Sequence, residues 1–86
     1  MRKLISVTQQ HIDEGVARNC TRCPVALAIQ NTFPEHKVCI TGCIVIDQIH
    51  VYKITERTRK FIERFDRMKS VKPFRFFLIG PDPSTQ

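Results

Sequence analysis

Cys23-Pro24-Val25-Ala26-Leu27-Ala28-Ile29-Gln30-Asn31-Thr32-Phe33 is the one helical stretch of this chain that is apolar nearly all the way round. Pro24 suits the first helical position, where its missing N–H would have had no partner and its fixed φ is already helical, so Cys23 falls at the N-cap. Val25, Ala28, Ile29 and Phe33 recur at helical spacing on one side, and Ala26 and Leu27 leave little polar surface on the other. A helix with that pattern must be covered on more than one face. Pro34 disfavours helical geometry for the residue before it, which ends the helix at Phe33.

The flanking elements read as the cover. Residues 4–7 form a short β-favouring run, Thr8 caps a helical turn over residues 9–14, and Gly15 stops it. Residues 16–22 have no period and form a loop. After Pro34-Glu35-His36, the runs Val38-Cys39-Ile40, Cys43-Ile44-Val45-Ile46 and Ile49-His50-Val51-Tyr52-Lys53-Ile54 are separated by Thr41-Gly42 and Asp47-Gln48. Breaks of that length predict a three-strand meander, with Asp-Gln a less typical turn pair than Asn-Gly. Thr55 caps a second helix over residues 55–68, with Thr58, Phe61, Ile62, Phe65 and Met68 as its apolar stripe. Val71-Lys72-Pro73 ends it. Residues 74–79 alternate as a last strand, Phe74, Phe76 and Leu78 on one side and Arg75, Phe77 and Ile79 on the other, and residues 81–86 read as a loose tail.

The order β, short helical turn, α, β, β, β, α, β predicts a single α+β domain over residues 1–86. In it a mainly antiparallel sheet carries two main helices on one face, in a split βαβ arrangement. A chain of 86 residues holds one core and buries roughly 60–65% of its unfolded surface. No apolar run approaches the length of a membrane span, and the start, Met-Arg-Lys-Leu-Ile-Ser-Val-Thr, turns polar too soon for a signal peptide. A cytoplasmic location is expected.

The net charge of +6 is concentrated in one third of the chain. Residues 53–75 hold nine basic side chains against three acidic ones, Glu56, Glu63 and Asp66, and the remaining charges cancel. On the second helix Arg57, Lys60, Arg64 and Arg67 fall at i, i+3, i+7 and i+10, within about 80° of arc beside the apolar stripe. These four are the candidate partner-binding residues. Glu56 with Lys60 and Glu63 with Arg67 stand at i, i+4, so the same spacing also describes a self-neutralising, solvated face. Phe61 and Phe65 are needed for the core and leave no stacking aromatics among the basic residues.

Cys20-x-x-Cys23 and Cys39-x-x-x-Cys43 stand close to zinc-ribbon spacing. Three details favour packed thiols over ligands and predict no metal or cofactor: Cys23 begins an apolar helix, Cys39 lies in a strand pattern, and Ile40-Thr41-Gly42 is a poor knuckle. The helix N-terminus would lower a thiol pKa, yet the apolar run behind Cys23 marks it as a packed cap rather than half of a redox pair. His11, His36 and His50 share no spacing with a carboxylate and read as ordinary surface or half-buried histidines. With no nucleophile turn, His-x-x-x-His or paired carboxylates, the sequence predicts a protein that is not an enzyme.

Val7-Thr8-Gln9-Gln10-His11-Ile12-Asp13-Glu14-Gly15, Cys23-Pro24-Val25-Ala26-Leu27-Ala28-Ile29, Phe61-Ile62-Glu63-Arg64-Phe65-Asp66 and Val71-Lys72-Pro73-Phe74-Arg75-Phe76 cover most of the chain in order. In these elements the chain resembles a group of small proteins of unknown function found in phages and prophages. In that group only the cysteine before the proline is a regular part of the pattern, so the resemblance implies no family-wide zinc site. It brings no activity. It implies a compact protein that binds and blocks a host component, such as a CRISPR defence complex, by occlusion in the host cytoplasm. The expectation is therefore a non-enzymatic binder of a host protein or nucleoprotein. The alternative is a small basic nucleic-acid-binding protein, with structural zinc on Cys20, Cys23, Cys39 and Cys43. A third class is an oligomer built through exposed strand edges.

Overall fold

A computed structural model describes residues 1–83 of the chain. The elements run β1 (Arg2–Val7), α1 (Gln9–Glu14), α2 (Pro24–Thr32), β2 (Val38–Ile40), β3 (Ile44–Ile46), β4 (His50–Tyr52), α3 (Glu56–Asp66) and β5 (Phe74–Ile79). This is the α+β order read from the sequence, with β2 as read and β3 and β4 trimmed to three residues each.

The strands do not join into one sheet. β1 pairs antiparallel with β5 from Arg2 opposite Ile79 to Val7 opposite Phe74, while β2, β3 and β4 form a separate antiparallel meander. The reason lies in α2. Its Pro24, Val25, Ala26, Ala28 and Ile29 are all buried, and the helix packs on β1, β2, α1 and α3. One sheet would cover one flank of such a helix and leave the other apolar flank in water. Two small sheets, with α1 and α3 alongside, cover it.

Both ends of α2 follow from the sequence. Cys23 is the N-cap, its Sγ accepting from the Ala26 N–H at 3.4 Å, and Phe33 closes the helix by donating its N–H to the Ile29 carbonyl at 3.0 Å. α1 carries a capping box in which Thr8 Oγ1 accepts from the His11 N–H and His11 Nδ1 accepts from the Thr8 N–H at 3.0 Å. Gly15 follows α1 with an ordinary φ of −67°. It is needed for proximity instead: a Cβ there would lie 2.7 Å from the Pro24 ring.

The core is Ile5, Val7, Val25, Ala26, Ala28, Ile29, Val38, Ile40, Ile44, Ile46, Tyr52, Phe61, Phe76 and Leu78, together with Cys23. Alternation in β5 is as read, with Phe76 and Leu78 buried, Phe74 half-buried and Arg75, Phe77 and Ile79 exposed. The Asp47-Gln48 turn closes by the Ile49 N–H donating to the Ile46 carbonyl, and both central residues take positive φ, 56° and 67°. That is the hairpin geometry matched to strand twist. Asp47 anchors it, accepting from the Lys37 N–H at 2.9 Å and pairing with His36 Nδ1 at 2.5 Å. His36 thus has a carboxylate partner that linear spacing did not reveal.

The stripe of α3 stops earlier than its period implies. Phe61 is buried and Ile62 and Phe65 half-buried, but Met68 is 80% exposed, outside the helix, with φ of 60°. It is the left-handed residue of a Schellman turn, in which the Met68 N–H donates to the Phe65 carbonyl and the Lys69 N–H to the Arg64 carbonyl. Helix closure, not core packing, uses this position.

Tyr52 on β4 joins the meander to the end of β5. It is 1% exposed and its hydroxyl donates to the Pro81 carbonyl. Burial pushes its phenol pKa up. Gly80 lies against its ring, the Gly80 N–H donates to the Met1 carbonyl, and Pro83 is buried. Of the tail expected over residues 81–86, residues 84–86 lie outside the described residues. A Cβ on Gly80 would come within 2.6 Å of Tyr52 Cδ2. Gly80→Ala should therefore destabilise the fold by about 1–3 kcal/mol, read as a lowered thermal midpoint; an unchanged midpoint would mean the ring does not sit there.

Candidate functional site

The basic edge of α3 is built by three local facts. Thr55 caps the helix through its Oγ1, which accepts from the Thr58 N–H at 3.2 Å and donates to Thr58 Oγ1 at 2.8 Å, so Thr58 is fully buried at the first turn. Phe61, one turn on, faces the core and fixes the rotation of the helix. Arg57, Lys60, Arg64 and Arg67 are then all exposed, as their spacing required.

The i, i+4 neutralisation that the spacing offered does not form. Glu56 and Glu63 both turn to Arg59 instead: its Nη1 donates to Glu63 Oε1 at 2.7 Å, its Nε to Glu56 Oε2 at 3.2 Å, and its Nη2 to Glu56 Oε1. One guanidinium fork, lying between the two glutamates in sequence, serves both. The Arg59 hydrogen bond is the first reason the Glu56 carboxyl is held below the ordinary carboxylate range, with the charges of Arg59 and Lys60 lesser causes. The same contacts push the Arg59 pKa up.

The third acid of the segment is engaged elsewhere. Asp66 Oδ1 accepts from the Arg18 N–H at 2.9 Å, its carbonyl accepts from Arg18 Nε at 3.3 Å, and it helps hold the loop of residues 16–22 against the end of α3. Among the described residues, Arg57, Lys60, Arg64, Arg67 and Lys72 form no ion pair with a carboxylate. The face is therefore not self-neutralising.

The polypeptide after α3 turns this edge into a groove. Arg57, Lys60, Phe61, Arg64, Val71, Lys72, Pro73 and Phe74 enclose an open depression of about 380 Å³. Phe61, Val71, Pro73 and Phe74 supply its apolar lining and four cationic side chains its rim. Arg57 lies over the Phe74 ring, 5.4 Å from its centroid, and Arg64 Nη2 donates to the Ser70 carbonyl at 3.1 Å, tying the helix to the segment that forms the opposite wall. A second, smaller depression along the same helix, lined by Lys60, Glu63, Arg64, Arg67 and Lys69, contains the fourth candidate residue. Phe74 and Lys72 were missed as site residues. The only linear signal for them was their position just after a basic helix.

The four cysteines sit in different surroundings, Cys20 exposed, Cys23 buried, and Cys39 and Cys43 half-buried. Ile40 N–H donates to the Cys20 carbonyl at 2.7 Å, which holds the Cys20 loop on β2. The Cys39 thiol makes a side-chain hydrogen bond with Cys20, the first reason its pKa is raised. Cys23 is 4% exposed and its sulfur is engaged as the α2 cap, where burial outweighs the helix N–H groups and pushes its thiol pKa up. Among the described residues, no three of His, Cys, Asp and Glu come together in a group that would hold a metal ion. The charges of Cys20, Cys23 and Cys43 are lesser causes of the raised Cys39 pKa.

Compared with family models, curated proteins and solved structures, the chain matches none. Among the described residues no helix is long and apolar enough to cross a membrane.

The thiol environments have a direct readout. With a soluble aromatic disulfide reagent near neutral pH, exposed Cys20 should react first and Cys23 at least about ten-fold more slowly until the protein unfolds, followed by mass spectrometry of digested samples. Equal rates at both would place Cys23 outside the core.

Proposed function

We propose that this chain is a non-enzymatic binding protein, encoded by a phage or prophage, that attaches through the basic edge of α3 to an acidic surface of a host protein or nucleoprotein and blocks it by occlusion. The observation that carries the reading is the disposition of charge. All three acidic side chains of residues 53–75 are engaged by Arg59 and Arg18, and Arg57, Lys60, Arg64 and Arg67 are exposed without a carboxylate partner among the described residues. A cationic face of that kind attracts an acidic partner and orients its approach.

The resemblance to small phage and prophage proteins supplies the host context, in which a defence complex such as CRISPR is a target and the host cytoplasm the place of action. The basic edge offers hydrogen-bond donors and an apolar lining, but no paired acid and base and no activated nucleophile. Binding is the chemistry this favours.

The test uses three variants. In one, Arg57, Lys60, Arg64 and Arg67 are reversed to Glu; in another, the same four are changed to Gln; a control reverses Lys3, Lys37 and Lys53. Partners captured from a bacterial lysate are purified and re-bound to each. Loss of binding in the Glu variant, at least about ten-fold weakening and a shallower salt dependence in the Gln variant, and no change in the control are expected. Unchanged binding and salt dependence in both α3 variants would overturn the reading.

A further inference from the structure

The groove between α3 and residues 71–74 specifies more than negative charge. Resting on the reading above, we infer that it takes an acidic segment of the partner protein bearing one large apolar side chain, which enters the groove while flanking carboxylates meet Arg57, Lys60, Arg64 and Lys72. The groove has about 380 Å³ of space, at the small end of ligand sites, which suits one side chain and not a folded element. Its lining by Val71, Pro73 and the Phe61 and Phe74 rings is apolar, and its rim is cationic. Apolar anchors set in pockets and ringed by polar contacts are the arrangement that dominates protein interfaces.

Ring geometry separates a peptide from a nucleic acid. Bases bind single-strand sites by stacking on open aromatic faces. The Phe74 ring is already in contact with Phe61, centroids 4.6 Å apart, and with Phe76 at 5.8 Å, and the Arg57 guanidinium lies over it. Phe61 is itself 8% exposed and packs against Phe65 as well. The groove therefore offers ring edges and aliphatic surface, which hold an apolar side chain, in place of a free π face. Its charges are available for carboxylates because Glu56 and Glu63 are held by Arg59.

Fluorescence anisotropy with labelled synthetic peptides tests this on the whole protein. One peptide has a central tryptophan flanked by three glutamates on each side, a second has serine at the centre, and the third probe is a labelled oligothymidylate. The tryptophan peptide should bind at least about ten-fold more tightly than the serine peptide, the increment expected from burying one large apolar side chain. Val71→Gln should remove that preference, and Lys60→Gln with Arg64→Gln should weaken both peptides. Should Val71→Gln fail to fold, amide shift mapping on the unmodified protein decides instead, with perturbations expected at residues 57, 60, 64, 71, 72 and 74. Equal binding of the two peptides, tighter binding of the oligothymidylate, or perturbations elsewhere would overturn this inference while leaving the basic-face reading in place. Failure of both peptides to bind at low salt would overturn the two together.

Discussion

The constraint on which the structure depends is a helix that is apolar on most of its circumference, with only the strip of Leu27, Gln30 and Asn31 left toward water. Residues of α2 are buried from Pro24 through Ala26 and again at Ala28 and Ile29. Two small sheets and two helices share the task of covering α2, and the small side chains Ala26 and Ala28 leave space for them to approach. Tyr52 then closes the joint by reaching from the meander to the backbone beyond β5.

Function follows from where the charges are left once the core is satisfied. Thr58 and Phe61 orient α3, and that orientation sends its basic side chains outward. Arg59 gathers Glu56 and Glu63, Arg18 engages Asp66, and the rest of the cationic edge has no ion-pair partner among the described residues. Exposed pairs of this kind contribute little to stability. Their consequence is positional, because they withdraw negative charge from the groove wall.

Much of this was legible in the chain. Pro24 after a capping residue, Pro34 after Phe33, the alternation of β5 and the α3 period all express local rules, and the elements formed where those rules placed them. What was not legible depended on choices among equivalent partners or on contacts distant in sequence. Glu56 had both Arg59 and Lys60 within one turn, and spacing does not decide between them; a forked guanidinium within reach of two carboxylates does. Met68 continued the apolar period but became the left-handed residue of a turn that would ordinarily use glycine. The meeting of the Cys20 loop with β2 depended on the Ile40 N–H reaching the Cys20 carbonyl, a contact distant in sequence. The groove itself required α3 and residues 71–74 to be brought together, which Arg64 reaching the Ser70 carbonyl, Phe61 meeting Phe74 and Arg57 over the Phe74 ring do.

The arrangement at the centre of this site is Arg59, and not the groove-facing Lys60, holding Glu56 and Glu63. It is tested most directly by titrating the Glu56 carboxyl by carbon-13 NMR in the native protein, in Arg59→Gln and in Lys60→Gln. A midpoint below the ordinary glutamate range that rises toward it in Arg59→Gln and stays low in Lys60→Gln is the predicted result. A midpoint that rises in Lys60→Gln and is unmoved in Arg59→Gln would place the carboxylate on the groove and contradict the account.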